Sequence, residues 1–260
     1  MPDISTINGI AEDNIASWNG TAATSITSVN LNTWITGISH EHTHSAFSGA
    51  TSQNSYTFSS VDIGSDEQDD RLIVIAVTTS NQGKLVVQGS GTTINSVQAT
   101  LIVATKEAAD QTTNWIAATV PSGTSVTVVI DVENGAFSCG IDVYSVLGAT
   151  LTDVLSGGTT HTGSQSGLVL AVEIADIPAG SLIMGAIAHN FGTGVSNVWT
   201  GGLTADDEDI DGYYGGGSPG NGRFRSTGAA KSGGGTITTT STLTGTVNHV
   251  SMSVIALASA

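Results

Sequence analysis

The stretch GISHEHTHSAF places His40, His42 and His44 at alternate positions. In an extended strand such residues project from one face, with Glu41 and Thr43 on the other. Imidazoles so arranged can share a borderline metal such as Zn²⁺, Ni²⁺ or Fe²⁺. The competing reading is a polar linker strand whose histidines are solvated or bonded to one another. A second constellation, DDEDIDG, sets Asp207, Asp209 and Asp211 before Gly212. That is the D-x-D-x-D-G opening of a calcium loop, whose carboxylates converge on a hard cation while glycine permits the bend. The last ligand position of an EF-hand falls on Ser218 rather than Glu, which excludes that motif. A calcium site on a β-loop and a solvated acidic loop remain. The cofactor expectation is thus calcium or a transition metal, or none at all.

The third candidate is the tract DGYYGGGSPGNGRFR, in which Tyr213, Tyr214 and Phe224 lie among glycines beside Arg223 and Arg225. Aromatics and arginine carry a large share of recognition energy, so the tract suits a glycan or protein surface; equally, its aromatics can tuck against the body. Catalytic signatures are missing. Gly215, Gly217 and Gly220 match G-x-G-x-x-G, but Pro219 interrupts them and no helix follows. In GSQSG, Gln165 stands where a nucleophilic serine would be. The expectation is a protein that is not an enzyme.

The elements that must position these residues are strands. RLIVIAVTT (71–79), KLVVQG (84–89), VQATLIVA (97–104), TSVTVVIDV (124–132) and CGIDVYSVL (139–147) come first. GLVLAVEIA (167–175), SLIMGAIAH (181–189), GTITTTSTL (235–243) and VNHVSMSVIALA (247–258) follow. The runs are short, rich in Val, Ile and Thr, and separated by Gly/Ser/Asn/Asp turns. TSVTVVIDV puts Val126, Val128 and Ile130 on one face, and the last run does the same with Val250, Met252 and Val254. This predicts an all-β, jelly-roll-like sandwich over residues 51–260. The acidic SDEQDD (65–70) reads as a charged turn protecting an edge. Cys139, the single cysteine, excludes a disulfide framework and reads as a small core residue.

The chain has 260 residues, 6 Lys+Arg against 22 Asp+Glu, and a formal net charge of −16. Such a surface neither neutralises phosphates nor attracts anionic headgroups, so nucleic acid is excluded as a partner. No apolar window reaches the roughly 18 residues of a spanning helix, and no basic segment followed by an apolar core opens the chain. Membrane insertion and secretion are not expected.

Residues 1–50 differ in texture. ISTINGIAEDN, IASWNGTAATS and ITSVNLNTWIT are three copies of one unit, with Ile4, Ile15 and Ile26 spaced 11 apart. Ile7, Trp18 and Val29 keep that step, as do Asn8, Asn19 and Asn30. Eleven residues is also the period of a right-handed coiled coil, but Asn-Gly in two copies argues for tight turns between extended pieces. One unit buries too little apolar surface to order itself. It needs a partner, which makes residues 1–50 an extended docking arm.

These repeats resemble the I-x-x-I-N-G repeats that open many structural proteins of tailed bacteriophages. The segment NWIAATVPSGTSVTVVIDVENGAFSCGIDVYSVLGA (114–149) is similar to a β-sandwich segment of the same class of proteins. The HEHTH element likewise resembles the H-x-H of some phage spikes, where a threefold axis gathers imidazoles around iron. The third repeat departs from the pattern, with Leu31 where Gly is expected. The resemblance implies a virion structural protein made in the host cytoplasm, docked on tail, baseplate or capsid proteins. A homotrimeric tail fibre or other appendage, with host surface glycan as a receptor, is the leading form. A capsid decoration or cement protein is the alternative, and a carbohydrate-binding module is a further one.

Overall fold

In a computed structural model the described residues are 6–7, 10–11, 17–18, 21–22, 37–65, 68–80, 91–107, 111–191, 196–211, 223–231 and 234–260, with backbone alone described before 23 and at 50–52, 80, 133–135, 137, 190–191, 207–211, 223–226 and 231. The chain divides into two compact units, Met1–Ile35 and Thr36–Ala260. The division therefore falls before the histidine segment, not at residue 50, and His40, His42 and His44 belong to the second unit.

In the first unit β1 (Thr6–Ile7) pairs with β2 (Ile10–Ala11), and β3 (Ser17–Trp18) with β4 (Thr21–Ala22), both antiparallel. Ile7 faces Ile10 and Trp18 faces Thr21, at matching places of the first two repeats. Ile4, Asn8, Ile15, Asn19, Ile26, Val29 and Asn30 lie outside the described residues.

The second unit is all-β, as the alternation in its sequence requires. Its first sheet has 7 strands: β5 (Ser39–Asp62), β6 (Leu72–Ser80), β7 (Thr93–Ile94), β8 (Val97–Gln98), β9 (Thr100–Lys106), β10 (Gln111–Thr119) and β11 (Ser125–Leu147). Its order is β8-β7-β11-β6-β10-β9, with β5 on the other side of β11. A second sheet of 5 strands runs β12 (Leu155–Ser166), β19 (Thr246–Leu257), β14 (Leu182–Phe191), β17 (Arg223–Lys231), β16 (Thr204–Asp211). A third, of 3 strands, runs β13 (Val169–Ile177), β18 (Gly235–Leu243), β15 (Asn197–Thr200).

Burial on both faces explains the continuous apolar run in β6. Ile73, Ile75 and Val77 join a core with Val126, Val128 and Ile130, while Leu72, Val74 and Ala76 join another with Leu182, Met184 and Ile255. The second sheet repeats the device, turning Ile183, Ile187 and Val254 to Leu170, Val172 and Ile174 of the third. Two of the three cores thus lie between sheets, and the other is enclosed by the first sheet itself. Each fully buried Val, Ile or Leu stabilises by about 1.5–3 kcal/mol before ordering costs.

The segments 124–132 and 139–147, expected as separate strands, are one strand, β11, of 23 residues along β5 of 24. Inward positions change from even (Val126, Val128, Ile130, Val132) to odd (Cys139, Ile141, Val143). Register breaks between Asp131 and Ser138 account for the change. Both halves of the ribbon therefore face one core, and the Tyr56 hydroxyl donates to the Ala136 carbonyl at the bend. Cys139 is buried in that core, as a small apolar residue should be.

Glycines let the layers approach. A Cβ on Gly157 would lie 2.8 Å from Val172 in the third sheet, and one on Gly158 would lie 1.9 Å from Thr105 in the first. Adjacent residues of β12 thus serve opposite neighbours.

Candidate functional site

The three histidines do not share a face. β5 pairs with β11 as His40↔Val146, His42↔Tyr144 and His44↔Val143, so Thr43 is an extra residue, a β-bulge. Opposed residues point to the same side of a sheet. Tyr144 and Val146 enter the core shared with the second sheet, whereas Val143 enters the core beneath the ribbon. His40 and His42 therefore lie on one face and His44 on the other. The expectation of three imidazoles on one face is corrected by this bulge, which the Thr43 hydroxyl holds by bonding the carbonyls of Asp62 (2.9 Å) and Val143 (3.3 Å).

The face with His40 and His42 instead gathers groups from distant strands. Ser45 on β5 donates to Asp142 Oδ1 at 2.8 Å, and its Oγ lies 3.2 Å from His42 Nε2. His42 Nε2 is 3.8 Å from Asp142 Oδ1. The His42 ring lies against Tyr144, centroids 5.1 Å apart, and Trp115 lies on Tyr144 at 6.1 Å. The Tyr144 hydroxyl reaches across to the second sheet, where it donates to Asp206 Oδ2 at 3.2 Å. Asp142 and Tyr144 are fully buried.

Ser45, His42 and Asp142 have the residue types of a nucleophilic triad but not its arrangement. A relay needs the carboxylate on one imidazole nitrogen and the hydroxyl on the other. Here both meet Nε2, and the serine hydroxyl is committed to the carboxylate. The cluster ties β5 to β11 and reaches the second sheet through Tyr144 and Asp206. Burial pushes the Tyr144 phenol well above its ordinary value, with the Asp206 charge adding to the rise. Burial also raises the Asp206 carboxyl, against the hydrogen bond from Tyr144 and the charges of His40 and His42, which lower it.

A carboxyl raised in the folded state binds its proton more tightly there than in the unfolded chain. Its contribution to stability is complete below the unfolded value, about 3.9, and is lost as pH rises through the folded value. Asp206→Asn keeps an acceptor for Tyr144 and removes the titration. Thermal melts are expected to show this variant at least as stable as the unchanged chain near neutrality. Its melting temperature should also fall less as pH rises from about 4. Asp206→Ala removes the bond from the Tyr144 hydroxyl to this carboxylate and should cost about 1 kcal/mol. An Asp206→Asn variant less stable than the unchanged chain at neutrality would show that the ionised carboxylate is net favourable.

A second polar cluster joins the same two sheets elsewhere. Glu107, fully buried beyond β9, lies 3.2 Å from His249 Nδ1 on β19 and accepts from Thr162 Oγ1 on β12 at 2.5 Å. Neither cluster was singled out from the sequence. A lone carboxylate inside the apolar run CGIDVYSVL was the available signal for Asp142; Glu107 had none.

Asp207, Asp209 and Asp211 are not in a loop. They lie on β16, where Asp209 pairs with Arg225, Ile210 with Phe224 and Asp211 with Arg223 of β17. These carboxylates therefore start from an extended ladder rather than from the bent loop expected of a calcium site. That register also places acidic residues opposite the two arginines expected to meet a receptor. Tyr213 and Tyr214 lie outside the described residues. Among the described residues no three His, Cys, Asp or Glu side chains are grouped to hold a metal ion. Comparison of the chain with family models, curated proteins and solved structures finds no match.

Proposed function

We propose that this chain is a non-enzymatic structural protein of a tailed-phage particle. Its N-terminal repeats dock it on other virion proteins, and its layered β body projects outward as a fibre or other appendage. The observation that carries the reading is the division of the chain at Ile35/Thr36, which separates the repeats from a body with cores of its own. Two-stranded ribbons of 2-residue strands bury too little to stand alone in water, so the repeats gain their order from a partner. The triad-like cluster, with both partners on one imidazole nitrogen, supports a structural rather than catalytic body.

Deleting residues 1–35 should leave a soluble body with an unchanged far-ultraviolet spectrum and a cooperative melt. That body should no longer co-sediment with phage particles that retain the full chain. Loss of the fold on deletion would make the repeats part of the body and sink the docking reading, as would undiminished co-sedimentation.

A further inference from the structure

The edges of the sheets in the second unit are protected unequally. β16 carries five acidic residues in its 8 positions, and β13 carries Glu173 and Asp176 and runs into Pro178. β5 holds Glu41 and Asp62 near its ends and is interrupted by bulges between them, β9 ends on Lys106, and β8 and β15 are only 2 and 4 residues long. Charge, proline, bulges and shortness are the devices that keep an exposed edge from pairing with another chain. From Leu155 to Thr162 β12 has none of them. It runs 12 residues as LSGGTTHTGSQS, without Asp, Glu, Lys, Arg or Pro. Among the described residues it pairs with β19 alone, at the end of the second sheet. Its register is unbroken from Leu155 to Thr162, and Ser156 and Thr160 are exposed.

We propose that β12 joins two copies of this chain, edge to edge and antiparallel, so that the second sheet continues across a twofold axis. The occupant is a second copy because an uncharged edge is self-complementary, as a twofold contact requires. The opposite edge of the same sheet excludes the alternative ladder: β16 against β16 would align acidic residues, and like charges across strands repel. The joined sheet ends in β16 on both sides, so its acidic borders oppose further edge-to-edge growth. With a net charge of −16 on each copy, association strengthens as salt screens the repulsion. This contact rests on the sheet edges and not on the virion reading, and it pairs copies by twos rather than the threes expected of an appendage.

The test uses the full chain and two variants, Thr160→Lys and Thr160→Glu, with mass read by light scattering at about physiological salt. Thr160 lies close to the middle of the strand. Two copies of it therefore meet across the axis directly or on the neighbouring diagonal, within reach of long side chains. The unchanged chain should have twice the monomer mass and each variant the monomer mass, with melts showing all three folded. An equimolar mixture of the two variants should recover the dimer, because Lys then faces Glu. A monomeric or trimeric unchanged chain, a dimer indifferent to both substitutions, or a mixture that stays monomeric would each overturn the proposal. Co-sedimentation with phage particles is unaffected by these outcomes, so the virion reading stands or falls separately.

Discussion

Gly158→Ala is expected to destabilise the second unit by about 3 kcal/mol, the upper part of the usual range for overpacking. Shortening Thr105 should return much of that loss. The added Cβ would lie 1.9 Å from Thr105 Oγ1 and 2.9 Å from both Cγ2 and Cβ of that residue. Rotating the threonine moves the first two atoms but leaves its Cβ in place, so β12 and β9 must separate. Thr105 is nearly buried and has little room to yield. Thr105→Ala removes the two movable atoms and should cost under about 1 kcal/mol by itself, as a small truncation at a rim. The double variant should then be more stable than Gly158→Ala alone, with a coupling energy of about 1–2 kcal/mol from denaturant melts of all four proteins. Additive losses would mean that the first and second sheets do not meet at this point.

That contact shows where sequence reasoning stops. Apolar runs and period-two alternation placed β6, β9, β11, β13, β14, β18 and β19. However, β5, β10, β12, β15, β16 and β17 fell outside the predicted runs, and KLVVQG (84–89) lies outside the described residues. LIVIAV was readable as a strand, but not as a strand covered on both sides by different layers. LSGGTTHTGSQS was not among the predicted strands; its Gly157 and Gly158 permit the close approach of two other sheets, which no local pattern encodes. β11 was divided in two because ENG looks like a turn, yet β5 alongside it carries the strand through. The bulge at Thr43 is set by register against Val143 and Tyr144, 100 residues away in sequence, so the one-face reading of the histidines could not have been corrected locally. DDEDID has poor intrinsic strand propensity, and its pairing with RFRST (223–227) overrides that preference. Of the candidate site, His42 was found for its neighbours in sequence, whereas Asp142, Tyr144 and Asp206 were assembled by the fold.

His42→Phe should destabilise the unit by about 2–3 kcal/mol, somewhat less than the loss of a wholly buried charge partner because the ring is 20% exposed. The substitution keeps an aromatic ring against Tyr144. It strips the fully buried Asp142 of the His42 imidazole, however, while the Ser45 hydroxyl still donates to that carboxylate. Burying a carboxylate beside an apolar ring is costly unless its partners are retained. Removing both members of a buried polar pair is a different matter, since apolar replacements of similar size can match the original stability. His42→Phe combined with Asp142→Leu should therefore recover most of the loss, measured as the midpoint of denaturant unfolding. It should also leave attachment to particles unchanged, because the cluster holds β5 to β11 within the second unit. Recovery of stability with loss of attachment would show that the cluster contacts a partner, and the structural reading of His42 would have to be abandoned.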